Sequence, residues 1–163
     1  MIVIADATPL NYLVLIGHSD ILPRLFDQIL IPSAVMNELE RPRTPEMVRA
    51  WIAAPPAWLQ VRSVKNPKTG DLEYLDEGER EAIFLAEELG ADWLIMDDYD
   101  GRKEAERRNL PVIGTLRGLD EAADRDLINL SEAVKRLQQT TFYVAPVLLQ
   151  WLTDRDTTRR EGQ

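Results

Sequence analysis

The sequence predicts a three-layer α/β/α fold with a central, mainly parallel sheet of about four to five strands. Short apolar runs rich in β-branched residues recur along the chain, and segments with helical periodicity separate them. Most of these runs do not alternate polar with apolar residues, which is typical of strands buried on both faces. Strands that alternate with helices favour parallel pairing, because each helix returns the chain to the same edge of the sheet.

The predicted strands end at residues that interrupt them. Met1–Ala5 is apolar up to Asp6, and the run 28–31 stops at Pro32. Leu59–Val64 alternates apolar and polar side chains, which indicates an edge strand. The remaining predicted strands are short and apolar and span 93–96 and 111–113.

The predicted helices begin at capping residues or prolines and stop before glycines or prolines. The clearest one, 76–89, has acids in its first turn and is followed by Gly90. Ser33 and Ser131 are predicted N-caps of two others. In chain order the predicted helices span 9–16, 21–26, 34–40, 45–53, 76–89, 100–108, 115–125, 131–139 and 144–152.

Length and composition predict a single domain over 1–155, followed by a frayed tail at 156–163. A chain of 163 residues that is 45% hydrophobic can build one core but leaves little room for two. No apolar run approaches the ~20 residues of a membrane span. The N-terminus also lacks the basic start of a signal peptide. We therefore expect a soluble, cytoplasmic protein that makes no membrane contact.

The composition excludes several kinds of chemistry. The chain has no cysteine, which excludes disulfides, cysteine-based zinc sites and thiol catalysis. His18 is the single histidine, so serine–histidine hydrolysis and multi-histidine zinc sites lack their parts. The net charge of −9 argues against a broad basic surface for nucleic acids. The positions of individual acids must therefore decide the function.

Three acids directly follow predicted strands. Asp6 ends the first strand, and Asp97 and Asp98 follow the strand at 93–96. Ligands of open parallel sheets bind outside the carboxyl ends of the strands. If the two strands are neighbours, these carboxylates converge at one edge of the sheet.

Two further acids lie on predicted helices near apolar stripes. Glu79 lies in the first turn of the helix 76–89, closer to its apolar face than Glu81 does. Glu38 lies beside the apolar stripe of the helix 34–40. An inward carboxylate is costly unless it is paired, so both are candidates for a site. Each could also be an ordinary helix acid, and the choice between Glu79 and Glu81 stays open.

Clustered carboxylates point to a divalent metal ion. They raise each other's pKa values unless a cation neutralises them. Mg²⁺ and Mn²⁺ prefer oxygen ligands, and ions of this kind can activate water and stabilise the leaving oxygen of a phosphodiester. Thr8, two residues after Asp6, could hydrogen-bond a metal-bound water or cap the following helix.

Five segments, taken in order, form a recognisable set: Asp6-Ala-Thr-Pro-Leu, Ile31-Pro-Ser-Ala-Val-Met-Asn-Glu-Leu, Gly78-Glu-Arg-Glu-Ala-Ile, Asp97-Asp98 with Gly101-Arg102, and Val112-Ile-Gly-Thr-Leu. This set resembles the PIN-domain family, in a PIN-like branch related to VapC-type toxins, over about residues 1–130. Met96 replaces the threonine usual before the fourth acid of those toxins, and Glu79 replaces the more common aspartate. Neither departure removes a carboxylate.

The resemblance implies a PIN-like fold and a metal-dependent endoribonuclease that hydrolyses RNA phosphodiesters. It further implies the toxin of a toxin–antitoxin pair, with a small antitoxin as partner and a homodimer as the assembly. The implied catalytic residues are Asp6, Glu38, Glu79, Asp98, Asp97 and Thr8. The implied ligands of Mg²⁺ or Mn²⁺ are Asp6, Glu38, Glu79 and Asp98, with the choice between Asp97 and Asp98 left open.

The residues that would bind the substrate lie on the helix after Asp98. Arg102 and Lys103 are the expected contacts to RNA phosphates. The alternative is that they are ordinary solvent-exposed residues of a helix that also carries acidic side chains. The alternative function is a catalytically inactive PIN-fold module that binds a protein or nucleic acid without cutting it. A phosphoacceptor receiver domain is a poorer match. Such domains have an acid pair after the first strand, whereas in this chain only Asp6 follows the first strand and the pair Asp97 and Asp98 follows a later one.

Overall fold

The computed structural model describes residues 1–67 and 72–162 of the chain. The contacts divide the chain into two compact units, Met1–Thr115 and Leu116–Gln163. The single domain over 1–155 therefore stays a prediction. No helix among the described residues is long and apolar enough to cross a membrane.

The first unit is built on a five-stranded sheet in which every neighbouring pair of strands is parallel. Helices flank this sheet, which confirms the predicted α/β/α class. The strand order is β3-β2-β1-β4-β5. The strands are β1 (Val3–Ala5), β2 (Ile29–Ile31), β3 (Leu59–Val61), β4 (Trp93–Ile95) and β5 (Val112–Ile113).

Burial explains the order of the strands. β1 is the central strand, and its three residues are fully buried, as an uninterrupted apolar run requires. β3 lies at the edge, with Leu59 buried and Val61 47% exposed, as its alternating sequence predicted. In register, Ile4 lies opposite Leu30 on one side and Leu94 on the other.

The helices of the first unit are α1 (Ala7–Leu15), α2 (Ile21–Phe26), α3 (Ser33–Leu39), α4 (Glu46–Ala53), α5 (Glu77–Leu89) and α6 (Tyr99–Arg107). α7 (Thr115–Asp124) begins at the last residue of this unit. The second unit continues with α8 (Leu130–Gln138) and α9 (Pro146–Glu161). α5 packs on α3, β1 and β4, and its apolar face is fully buried at Ile83 and Leu85.

Two predictions about the second unit need correction. The N-cap of α8 is Asn129 rather than Ser131, because the Asn129 side chain accepts the Glu132 N–H at 3.0 Å and the helix starts one residue earlier. The tail predicted to fray at 156–163 is helical as far as Glu161, and residue 163 lies outside the described residues. Arg159 stabilises these last turns through ion pairs of 2.7 Å to Asp120 and 2.8 Å to Asp156.

Candidate active site at the carboxyl edge of the sheet

Asp6 lies where β1 ends, directly beside the end of β4. Its backbone N–H donates a 2.9 Å hydrogen bond to the Ile95 carbonyl, so the two strands end side by side. Only 3% of Asp6 is exposed. Ionising a carboxyl group in this position costs free energy unless a positive charge lies near it.

The two acids that follow β4 have different partners. Asp97 accepts two hydrogen bonds from Thr115, one from its N–H at 2.8 Å and one from its hydroxyl at 2.6 Å. Asp98 is the N-cap of α6 and accepts the Gly101 N–H at 3.2 Å. Asp97 therefore connects the end of β4 to the first residue of α7, whereas Asp98 starts α6 and remains exposed.

Glu79 reaches the same edge from α5. Asp76 is the N-cap of this helix, and its Oδ1 accepts the Glu79 N–H at 2.8 Å. Glu79 is 7% exposed, and the charges of Asp6 and Asp98 both act on its carboxyl group. The first turn of α5 thus places Glu79 next to the acids at both strand ends.

Glu81 has a different role from Glu79. Its Oε1 accepts the Ala34 N–H of the first turn of α3 at 3.1 Å. The N-cap residue of α3 is Pro32, which offers no side-chain acceptor. Ser33 was predicted to cap this helix, but it is the first helical residue, and its hydroxyl lies 3.1 Å from that of Ser63. Glu81 therefore joins α5 to α3.

Glu38 is half-buried on α3, on the side of the site away from β4. Its pKa is raised by burial and by the charge of Asp76, while the charge of Arg41 lowers it. Its own charge acts on Asp6. Thr8, also half-buried, lines a cavity together with Glu38.

The Asp6 carboxyl group has the most perturbed environment of the strand ends. Its pKa is raised to about 8, chiefly by burial and then by the negative charges of Asp76, Glu38 and Asp97, while the Ala7 N–H lowers it. The group is therefore largely protonated at neutral pH in the absence of a cation.

Glu79 behaves in the same way. Burial and the charges of Asp76, Asp6 and Asp98 raise its pKa to about 8. Burial also raises the pKa of Asp97, against the hydrogen bonds from Thr115. These carboxyl groups form one electrostatic cluster, in which each ionisation opposes the next. We call Asp6, Glu38, Glu79, Asp97 and Asp98 the acid cluster.

Glycines allow the close packing around the acid cluster. A Cβ atom at Gly101 would lie 2.5 Å from the Met96 sulfur and 3.7 Å from the Glu79 carboxyl carbon. A Cβ atom at Gly114 would lie 2.7 Å from an Arg102 nitrogen and 3.0 Å from an Asp97 oxygen. The close approach of α6 to the cluster therefore depends on the absence of a side chain at Gly101, where the neighbouring Met96 is fully buried.

The two predicted substrate-binding residues lie on α6. Arg102 is half-buried, and its charge lowers the pKa of Asp97, which burial raises. Lys103 is exposed, and its ammonium group lies 5.4 Å from the centre of the Tyr99 ring. Arg102 therefore lies at the acid cluster, whereas Lys103 lies on the outer surface of the helix.

The donor chemistry of the acid cluster fits a hard divalent cation, because its members are carboxylates whose mutual repulsion a cation would relieve. Within residues 1–67 and 72–162, however, no three acidic or histidine side chains are arranged to hold a metal ion as they stand.

Sequence reasoning did not select Asp76 or Thr115. Asp76 precedes Glu79 by three residues, which is the spacing of a helix cap, so the sequence contained a signal for it. Thr115 contacts Asp97 across 18 positions of the chain, and no local pattern marks that contact.

The chain was compared with protein-family models, curated proteins and solved structures. A family model described as PIN domain matches residues 2–155, a range that includes every member of the acid cluster. Among solved structures, the chain is similar to a PilT N-terminus domain protein from the hyperthermophilic archaeon Sulfolobus solfataricus P2. The identity is 17% and the TM-score 0.49, over 89% of this chain and 100% of that one. No curated protein matches the chain.

Proposed function

The chain belongs to the PIN domain family, whose members are generally nucleases, and from this premise we propose that it is a cytoplasmic, metal-dependent endoribonuclease. The observation that carries the proposal is the burial of Asp6 and Glu79 in one cluster of carboxyl groups, where the pKa of each is raised to about 8. Such a cluster is unfavourable when ionised and becomes favourable when it binds a cation.

Asp6, Glu38, Glu79 and Asp98 are the proposed ligands of Mg²⁺ or Mn²⁺. When bound, such an ion activates water and neutralises charge on the phosphodiester. Asp97 holds Thr115 and thereby fixes the end of β4, which positions the neighbouring Asp98. Thr8 would orient water at the edge of the cluster.

Arg102 and Lys103 are the proposed contacts to the RNA substrate. Arg102 already lies at the acid cluster, where a guanidinium group can bind the phosphate being cut. Lys103 would contact a phosphate of the same RNA strand at the outer surface of α6. Arg107 is unavailable for this purpose, because it binds Glu104 through two nitrogen atoms.

The proposal includes a role as the toxin of a toxin–antitoxin pair, with a homodimer and a small antitoxin as partners. Its support in the second unit is the apolar surface of α9, where Val147 is 80% exposed, Leu148 47% and Trp151 44%. Large exposed apolar side chains that lie together are typical of interaction surfaces.

The second candidate function is a catalytically inactive PIN-fold module that binds a protein or nucleic acid. One observation favours it: no three acidic side chains in the described part of the chain are already arranged around a metal position. The two candidates differ in whether the wild-type protein cuts RNA.

A cleavage assay separates them. Purified wild type, free of any antitoxin, is incubated with mixed-sequence single-stranded RNA and Mg²⁺, Mn²⁺ or a chelator. We expect cleavage with either metal, none with the chelator, and a loss of at least a hundredfold in Asp6→Asn. Asp27→Asn is the matched control, because Asp27 is exposed at the end of α2 and lies outside the acid cluster. Cleavage that persists in chelator would exclude the proposed mechanism.

A further inference from the structure

A cavity of about 300 Å³ adjoins the acid cluster on the side of α3, and its size lies at the lower end of the range for ligand sites, roughly 300–1,000 Å³. Its walls come from the start of α1, the end of α3 and the loop that leads to α4. The lining side chains that matter here are Thr8, Asn11, Glu38, Arg41, Arg43 and Thr44. Glu38 belongs to both the cavity and the acid cluster, so a molecule in one is next to the other.

Two arginines make this cavity cationic. Arg41 and Arg43 are both exposed, and neither forms a direct ion pair within residues 1–67 and 72–162, although the charge of Arg41 acts on Glu38. Elsewhere Arg107, Arg136 and Arg159 are each bound by carboxylates. Glu38 is the single carboxylate that lines the cavity, so the two guanidinium groups leave it with a net positive charge.

The loop that carries these arginines is held in place by Thr44. The Thr44 hydroxyl donates to the Glu38 carbonyl at 2.9 Å, and its N–H donates to the Arg41 carbonyl at 3.0 Å. Its own carbonyl accepts from Arg49 Nε at 2.9 Å. The backbone bearing Arg41 and Arg43 is thus fixed to α3 and α4, which lowers the entropy cost of binding a ligand there.

We propose that this Arg41–Arg43 cavity binds a backbone phosphate of single-stranded RNA, adjacent to the phosphate that is cut at the acid cluster. The inference rests on the proposed function and specifies how that function holds its substrate. A polyanion meets repulsion from a chain of net charge −9 and from the acid cluster itself, so the strand requires a cationic anchor close by.

Guanidinium groups suit this task, because their planar donors match phosphate oxygens. The hydroxyl of Thr8 and the amide of Asn11 supply further hydrogen-bond partners for a phosphate or ribose. Phosphates repeat along an RNA strand, so a strand that crosses the acid cluster brings a neighbouring phosphate to this cavity. An acidic peptide has no such reason to extend from the cavity across the carboxylates.

The test measures binding and cutting separately. Fluorescence anisotropy follows a labelled mixed-sequence RNA oligonucleotide with full-length Asp6→Asn protein in Mn²⁺, over a series of KCl concentrations. Two variants are made in this background. One is the double variant Arg41→Gln with Arg43→Gln, and the other is the single variant Arg24→Gln. Arg24 is exposed on α2, close to the start of β2 and therefore to the opposite edge of the sheet, and Arg24→Gln removes one positive charge where the double variant removes two.

We expect the double variant to bind RNA at least tenfold more weakly, while Arg24→Gln binds as the background protein does. Loss of the contact to one phosphate should also lower the magnitude of the slope of log K against log[salt] by about 0.7 for single strands. Replacing both arginines with lysine should restore most of that slope. A poly-glutamate peptide should compete poorly with the oligonucleotide.

The two proposals can fail separately. Equal binding by the double variant, with cleavage by the wild type intact, would overturn the cavity and leave the nuclease standing. Weaker binding by the double variant, together with a wild type that cuts nothing, would overturn the nuclease and leave the cavity. Poly-glutamate that competes as well as RNA, or no RNA binding at all, would also overturn the cavity.

Discussion

Glu81 of α5 accepts a hydrogen bond from the backbone N–H of Ala34 in α3, at 3.1 Å. This contact fixes the helix that carries Glu38 to the helix that carries Glu79, so two members of the acid cluster depend on it. Glu81 is thus a positioning residue, and its carboxylate also satisfies a helix N–H that the chain before α3 leaves without an acceptor.

We predict that Glu81→Ala lowers the free energy of unfolding by about 1 kcal/mol, the usual effect of losing an N-terminal helix acceptor. It should also reduce RNA cleavage, because α3 and Glu38 lose their fixed position. Glu81→Gln keeps an acceptor oxygen and should recover most of both losses. Urea unfolding and the cleavage assay measure the two effects, and unchanged stability in Glu81→Ala would contradict this role.

The acid cluster predicts an unusual dependence of stability on pH. In the folded chain the pKa of Asp6 rises from 3.8 to about 8, and that of Glu79 from 4.5 to about 8. Because these carboxyl groups hold their protons more tightly in the folded chain, they stabilise the fold fully at pH values below about 4, where the unfolded groups titrate. This contribution is lost as the pH rises through about 8.

In chelator, therefore, the free energy of unfolding should fall between pH 5 and pH 8. Each group contributes a fall of about 1.4 kcal/mol for every pH unit over which it is ionised in the unfolded chain and protonated in the folded chain. Asp6→Asn should show a smaller fall and a higher Tm than the wild type at pH 8. Asp27→Asn should keep the full fall. Wild-type stability that is flat or increases over this range would contradict the raised pKa values.

The glycine at 101 should be required for packing. In Gly101→Ala the new Cβ would lie 2.5 Å from the sulfur of the fully buried Met96, so we expect a loss of roughly 1–3 kcal/mol from overpacking. Gly118→Ala is the control, because nothing lies within 4 Å of its Cβ position inside α7. That variant should be more stable by about 0.5–1 kcal/mol. Thermal melts in which both variants behave alike would refute the crowding at Gly101.

The proposed homodimer leads to a test on α9. Trp151 is 44% exposed, with the Arg155 guanidinium 5.0 Å from its ring centre. Trp151→Glu should convert a dimer into a monomer with an unchanged helical circular dichroism spectrum, because a charge replaces apolar contact area. Trp151→Phe should remain dimeric. Sedimentation velocity gives the answer, and a dimeric, folded Trp151→Glu protein would exclude this surface as the interface.

Strand positions could be predicted from sequence because burial on both faces leaves a simple signature. The apolar run before Asp6 and the alternation at Leu59 each gave a strand in the right place, although the paired ladders are shorter than the apolar runs. Helix ends were harder where the capping group lies far away in the chain. Glu81 caps a helix 47 positions away, and the spacing around Ser33 suggested a local cap instead.

The acids at the strand ends could be found because parallel strands share a carboxyl edge, and β1 and β4 are neighbours. The separate roles of Asp97 and Asp98 could not be predicted, since they depend on which of the two acids accepts hydrogen bonds from Thr115. The cationic cavity was also missed, because Arg41 and Arg43 lie in a loop that resembles an ordinary solvated connection until Thr44 is seen to fix it.

We expect the acid cluster to bind a divalent cation through Asp6. The most direct measurement is calorimetric titration of Mn²⁺ into the full chain at pH 8, where the carboxyl groups can ionise. We expect saturable binding by wild type and by Asp27→Asn, and binding at least tenfold weaker by Asp6→Asn. Absence of binding by wild type, or equal binding by Asp6→Asn, would contradict this expectation.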